Sequence, residues 1–495
     1  MANAIQLHDD GEFDTIASSC VPIVFVPGVM GSRIDLPAEG LTWDPDYPLR
    51  RMAAWYSVFK DGKQTTRRAL SVDRTAATVL TELSGDAQGA IRRNAALRAI
   101  GGAAIGGDHL DDDDLTRYYG EVRGWAGVPW SKYGLVLTRL EAALNPDPDN
   151  PRRPVYAFGY DWRQSNTDSG MELARFIGDV LGRHSSTARD VIVVTHSMGG
   201  LVLRGALAHD GFLDAKIRGV VHGAQPSNGA PPCYRRFLTG ATPPVDGDDL
   251  PSSVINNIQG TTPQQYAYNL SGLPGPLQLL PNHVYQRYFD EGSWMEGLDG
   301  SVDLGDVYAI YRRPGVPGIA GVVAFAQEDC GTREERSTHA VTADFARHLQ
   351  DAEGFHRTVC SVAHRNTYAV YSTNVNTDRA IRFDNLNGSI TSVNPRPTGG
   401  GCAPTRAIGA PAGTRWAVSD DGAGLTDRWN DITYIRSPAG DGTVPAVSAR
   451  CPALTLLEPA RAVSGAQHAD VYANAAFDAI VEECVRKLLA LPCAR

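Results

Sequence analysis

The chain lacks an apolar start. Residues 1–20 hold no basic cluster followed by a hydrophobic stretch, which is the pattern a secretory signal needs. Long hydrophobic runs are missing too. The most apolar region, residues 191–208, is broken by His196, Ser197 and Arg204, which excludes a convincing transmembrane helix. The expectation is a soluble chain, cytoplasmic or exported by a route that reads no N-terminal signal. Basic patches are scarce and the formal net charge is −10. A nucleic-acid binder would need clustered cations to neutralise phosphates, so nucleic acid is excluded as a partner. None of the eight cysteines forms a Cys-x-x-Cys pair, which removes zinc and thioredoxin-like readings. Their even number leaves two options open: a disulfide framework, in which Cys484 and Cys493 could clip the C-terminal helix, or buried thiols. The acidic run from Asp111 to Asp114 has no ligand spacing around it and reads as a solvated loop rather than a metal site. No internal repeat is present.

What is there fits a large globular fold. At 495 residues the chain exceeds one minimal domain, so it holds either two domains or one fold with big insertions. Hydrophobic residues at 42% and charged residues at 21% supply an ordinary core and surface. Short β-branched runs at 21–26, 155–160, 191–194 and 217–221 alternate with helical patterns at 133–144, 171–181 and 201–209. That alternation predicts an α/β fold with a mainly parallel central sheet flanked by helices. Residues 1–19 read as a tail. Residues 20–222 and 366–495 read as the core, with an insertion at about 50–125. Residues 223–365, rich in Pro, Gly, Leu and Tyr, read as a large cap or lid insertion. The sheet is expected to resume at 367–371, before a Gly- and Asn-rich, hairpin-like excursion over 385–413.

The most informative stretch is Val191-Ile-Val-Val-Thr-His-Ser-Met-Gly-Gly200. It follows the strand, nucleophile elbow, helix pattern Gly-x-Ser-x-Gly, with Thr195 at the first glycine position. A serine at the apex of so sharp a turn needs small neighbours on either side, or strand and helix collide. Gly199 meets that demand, and Thr195 meets it less well. Serine needs a base, and the base a carboxylate, in the chain order Ser, Asp or Glu, His. His468 is the only histidine in the last hundred residues and precedes a helical pattern at 471–489. His196 would point away from the site in an elbow and is set aside. Asp441, between two glycines after the apolar run 432–435, is the expected acid, with Asp384 and Asp431 as outside alternatives. Asp470 is too close to His468 to serve. Two backbone N–H donors complete the requirement. Met198 is one, and Val29 of Pro27-Gly-Val-Met-Gly-Ser32 the other, with Met30 as second choice.

Five segments together resemble one family. They are Val26-Pro-Gly-Val-Met-Gly-Ser32, Gly159-Tyr-Asp-Trp-Arg163, Thr195-His-Ser-Met-Gly-Gly200, Gly440-Asp-Gly-Thr-Val-Pro445 and the His468 segment. Their order is similar to that of the lecithin:cholesterol acyltransferase-like lipases and phospholipases of the α/β-hydrolase superfamily. The resemblance implies an α/β-hydrolase fold under a lid, acting on acyl glycerolipids, phospholipids or sterol esters without metal or organic cofactor. It implies Ser197, Asp441 and His468 as the triad, with Val29 and Met198 at the oxyanion. Met30 and Trp162 are candidate substrate-site residues. The Gly159–Arg163 segment is expected near the acyl site or bracing the sheet edge. Three features depart from the family pattern: Thr195, the missing signal, and an insertion before Trp125 that does not align. A lipase, phospholipase or esterase is the leading expectation. An acyltransferase, a lipolytic toxin delivered between bacteria, and a non-catalytic binding protein on the same scaffold are the alternatives. Cap stretches such as 270–280 either line an acyl tunnel and touch a lipid surface transiently, or simply pack the cap.

Overall fold

A computed structural model describes residues 20–47, 55, 63–105, 111–147, 152–241, 255–256, 258–290, 292–298, 303–314, 317–384, 413–418 and 428–492. The expected tail, residues 1–19, lies outside them.

The β-branched runs pair into a single six-stranded sheet. Strands β1 (Ile23–Val26), β2 (Val155–Ala157), β3 (Val191–His196), β4 (Ile217–Gly223), β5 (Thr367–Thr373) and β6 (Arg461–Ser464) lie in the order β6-β5-β4-β3-β1-β2. Every neighbouring pair is parallel. Successive strand side chains point to opposite faces, and each face has its own core. Val24, Val26, Val191 and Val193 pack with helices α2 (Asn166–Arg183) and α3 (Gly199–His209). Ile23, Phe25, Ile192 and Val194 pack with α1 (Trp130–Leu144) and α4 (Ala475–Leu489). Each such aliphatic side chain contributes about 1.5–3 kcal/mol on full burial. Strands buried on both faces explain why these runs show no polar alternation.

The described residues within 231–359 are mostly helical. Tyr234, Phe237, Tyr266, Val322 and Leu349 from these helices join the core on the α2–α3 face. A second, mixed sheet is built on the antiparallel pair Thr377–Asp384 and Arg428–Ser437. The first of these strands also pairs with Met295–Glu296, and the second with Gly413–Val418. The run 432–435 therefore belongs to this sheet and not to the central one. Most of the expected excursion, 385–412, lies outside the described residues. Within 34–122, three short strands, Ile34–Leu36, Leu41–Trp43 and Thr78–Val79, form a small antiparallel sheet accompanied by short helices.

Some expected boundaries move for local reasons. The strand at 155 stops at Ala157, because the chain turns off to carry the Gly159–Arg163 segment. The last helix begins at Ala475 rather than 471, because the Asn474 side chain accepts the N–H groups of Ala476 and Phe477 and caps it there. The acidic run is the first turn of a short helix, Asp112–Leu115, capped by Asp111. Carboxylates are favourable at that end of a helix, which is why it is not a loop. Among the described residues, no helix is long and apolar enough to cross a membrane. Cys20, Cys360, Cys451 and Cys484 carry free thiols. Cys402 and Cys493 lie outside the described residues, and with Cys493 the expected clip to Cys484.

Candidate active site

The candidate nucleophile, Ser197, is held by β3 and the turn that ends it. Ser197 has φ +50, a left-handed conformation that costs a non-glycine residue about 1–3 kcal/mol and persists only where neighbours enforce it. Here its N–H donates to the Gly223 carbonyl at the end of β4, at 2.9 Å. A Cβ at Gly199 would lie 2.5 Å from the carbonyl oxygens of Val26 and Pro27, so only glycine lets α3 start this close to β1. Thr195 takes the place of the usual small residue without a clash. It sits opposite His222 in register, and its hydroxyl is 2.9 Å from His222 Nδ1. Burial pushes His222 down to about 3, so that pair is neutral.

Two loops at the same edge of the sheet bring His468 and Asp441 to the serine. His468 follows β6 on a tight turn, His468–Ala473. The Tyr472 hydroxyl pins that turn to β3 by donating to the Thr195 carbonyl at 2.8 Å. The two loops are joined through the backbone, His468 N–H donating to the Asp441 carbonyl at 2.8 Å. Their side chains then line up. His468 Nδ1 is 2.7 Å from Asp441 Oδ2, and His468 Nε2 is 2.9 Å from Ser197 Oγ. The other Asp441 oxygen, Oδ1, accepts the N–H groups of Thr443 and Val444 at 3.0 and 2.6 Å, which fixes the carboxylate plane. Asp441 is fully buried and Ser197 is 4% exposed. Asp470 is committed elsewhere, to an exposed ion pair with Lys132. Asp384 and Asp431 sit opposite each other on the antiparallel strand pair of the second sheet.

The loop after β1 lies against the serine: a Cβ on Gly28 would come within 2.9 Å of Ser197 Cβ. Three aromatic side chains hold this loop. Tyr160 donates its hydroxyl proton to the Pro27 carbonyl at 3.0 Å. Trp43 Nε1–H donates to the Met30 carbonyl at 3.1 Å. Tyr133 accepts the Gly28 N–H at 3.3 Å. The N–H groups of Val29, Met30 and Met198 donate to no acceptor among the described residues. Met30 has φ +59, and its sulfur is 3.3 Å from Gln259 Nε2 in the helical region above. Trp162 is one ring removed from the loop, buried edge-on against Trp43 with centroids 5.2 Å apart.

The Gly159–Arg163 segment is a brace. Arg163 is fully buried and holds Asp161 through Nε and Nη2. It also reaches the carbonyls of Ala69, Leu70 and Thr75, tying the inserted helix Lys63–Leu70 to the core. A cavity of about 390 Å³ lies between α2 and α3, lined by Met171, Ala206 and His209. A larger polar groove is lined by Arg347, His348 and Asp168. Ser197 lines neither. The sequence did not single out Tyr133, Trp43 or Tyr472, and gave Tyr160 only as part of the Gly159–Arg163 segment. Each supports the site from a distant element, and no local spacing marks such a residue.

Residues 150–288 match the model of the lecithin:cholesterol acyltransferase family. That stretch holds the Gly159–Arg163 segment and the serine elbow, so the likeness read from the motifs is borne out there. No curated protein sequence matches the chain. Among solved structures, a chain of the Tle4-Tli4 complex superposes with a TM-score of 0.63 at 20% identity. The match covers 96% of this chain and 99% of that one. The likeness extends over nearly the whole length, and the fold is that of the α/β-hydrolases.

Proposed function

We propose that the chain is a serine hydrolase of acyl esters, with Ser197 as nucleophile, His468 as general base and then acid, and Asp441 as the carboxylate that orients it. One observation carries the reading: two hydrogen bonds run in line from Asp441 through His468 to Ser197 Oγ. In the first half-reaction His468 Nε2 takes the Oγ proton as Oγ bonds to the ester carbonyl carbon. The imidazolium that forms is stabilised by Asp441. The oxyanion accepts the N–H groups of Met198 and Val29, placed at the helix start and on the loop beside the serine. Collapse breaks the ester C–O bond, and Nε2 returns the proton to the departing alcohol. Water then gives a proton to His468 Nε2 as its oxygen bonds to the acyl carbon, and collapse breaks the C–Oγ bond, with Nε2 returning the proton to Oγ and the carboxylic acid released.

Lipid esters are the substrate class the reading favours. The family description and the Leu- and Tyr-rich helices over the core support it, and we assign Met30, on the loop beside the serine, to contact with the acyl group. The same description gives weight to a second reading, in which an alcohol replaces water and the acyl group is transferred. The test is hydrolysis of a panel of p-nitrophenyl esters and phospholipids by the native chain and by Ser197→Ala, with a lipid alcohol added as competing acceptor. Activity abolished in the variant is expected. A new ester formed with the alcohol would mark the transferase. Equal activity in both chains would remove Ser197 from the reaction.

A further inference from the structure

His196 was set aside as a base, yet it is fully buried in contact with the catalytic loop, and the mechanism above leaves it unused. Its ring lies among those of Tyr133, Tyr472 and His468, with centroids 5.6, 5.7 and 5.1 Å away. Nε2 is 3.0 Å from the His468 carbonyl oxygen. A carbonyl can only accept, so this nitrogen carries the ring proton. In a neutral imidazole Nδ1 is then the acceptor, and it lies 2.8 Å from the Tyr133 hydroxyl. That hydroxyl donates to Nδ1 and accepts the Gly28 N–H. Burial, reinforced by the nearby His468, pushes His196 down to about 3. The ring therefore stays neutral and the proton pattern has one arrangement. A Cβ at Gly28 would meet His196 Nδ1 at 3.2 Å, so loop and ring are in direct contact.

Resting on the serine-hydrolase reading, we propose that His196 and Tyr133 are positioning residues that lock the His468 loop to the oxyanion loop. The chain of bonds runs from Gly28 N–H through the Tyr133 hydroxyl and the His196 ring to the carbonyl of His468. The base and the oxyanion donors are thus registered against each other through one rigid bridge. Neither residue touches the reacting atoms. If His196 only filled space, a phenylalanine ring would serve as well. The bridge instead needs a donor and an acceptor.

The test uses His196→Phe, His196→Gln and Tyr133→Phe, with the rate of fluorophosphonate labelling and the split between kcat and KM on the best ester. Phe keeps the ring and removes both hydrogen bonds, whereas Gln keeps an amide donor and acceptor. Misplacing a catalytic group by about 1 Å costs about 100-fold. Labelling rate and kcat are therefore expected to fall about 10- to 100-fold in both Phe variants, with KM nearly unchanged. The double Phe variant should be no worse than the poorer single one, because both break the same bridge. Gln should recover much of the loss. Native labelling rates in folded His196→Phe, or Gln no better than Phe, would overturn the bridge. If His196→Phe does not fold, Tyr133→Phe decides by the same readout. A native chain that does not label at all would instead fail the hydrolase reading itself.

Discussion

Asp441 shows how much of the site is decided by single residues. Its Oδ2 faces His468 while Oδ1 is held by two backbone N–H groups, so the carboxylate can turn neither way. Asparagine would keep the shape but present the wrong atom to one side, leaving the imidazole in the wrong tautomer. Asp441→Asn is expected to lower kcat by about ten-thousandfold while the folded chain keeps its thermal midpoint within a few degrees. A kcat within tenfold of native would show that Asp441 does not orient the base. Ser197, His468 and Asp441, which lie within hydrogen-bonding reach of one another, could be singled out in the sequence because the chemistry fixes their order and glycines flank Asp441 and follow Ser197. Thr195 was legible only as an anomaly. Its accommodation depends on His222, one strand away, and pairing between strands leaves no mark in local sequence.

At the scale of elements, five of the six strands of the central sheet could be read because runs buried on both faces are continuous and apolar. The edge strand Arg461–Ser464, with a single buried residue, could not, nor could the second, mixed sheet. Thr377–Asp384 pairs with Met295–Glu296 on one side and Arg428–Ser437 on the other, and these segments are too far apart in sequence for any turn signal to join them. Helices α2 and α3 illustrate a packing constraint that periodicity alone does not reveal. A Cβ on Gly170 would sit 2.6 Å from the Ala206 nitrogen and 2.8 Å from the Val202 carbonyl oxygen. Backbone cannot give way as a side chain can, so a larger residue must push the helices apart. Gly170→Val is expected to cost about 1–3 kcal/mol through overpacking, seen as a lower urea midpoint. Because α3 begins at the elbow, fluorophosphonate labelling should slow as well. An unchanged midpoint would mean that the two helices separate freely.

For the whole molecule, three buried histidines contribute to how stability depends on pH. His196 and His222 are pushed to about 3 and His356 to about 4, chiefly by burial, from the ordinary 6.5. The folded values lie below the unfolded one, so between about pH 4 and 6.5 the unfolded chain binds protons that the folded chain does not. Stability is therefore complete above pH 6.5 and falls as pH drops through that window. Each histidine contributes a slope of up to about 1.4 kcal/mol per pH unit. A thermal midpoint that is level from pH 8 to 7 and declines steadily below about 6 is expected. A level midpoint down to pH 4.5 would contradict neutral burial of these rings.

Whether Ser197 is an activated nucleophile is tested most directly by reaction of the folded chain with a fluorophosphonate, followed by intact mass and peptide mapping. One adduct per chain is expected, on Ser197, absent in Ser197→Ala and strongly slowed in His468→Ala. No adduct on the native chain, or an adduct on another residue that persists in Ser197→Ala, would contradict that role.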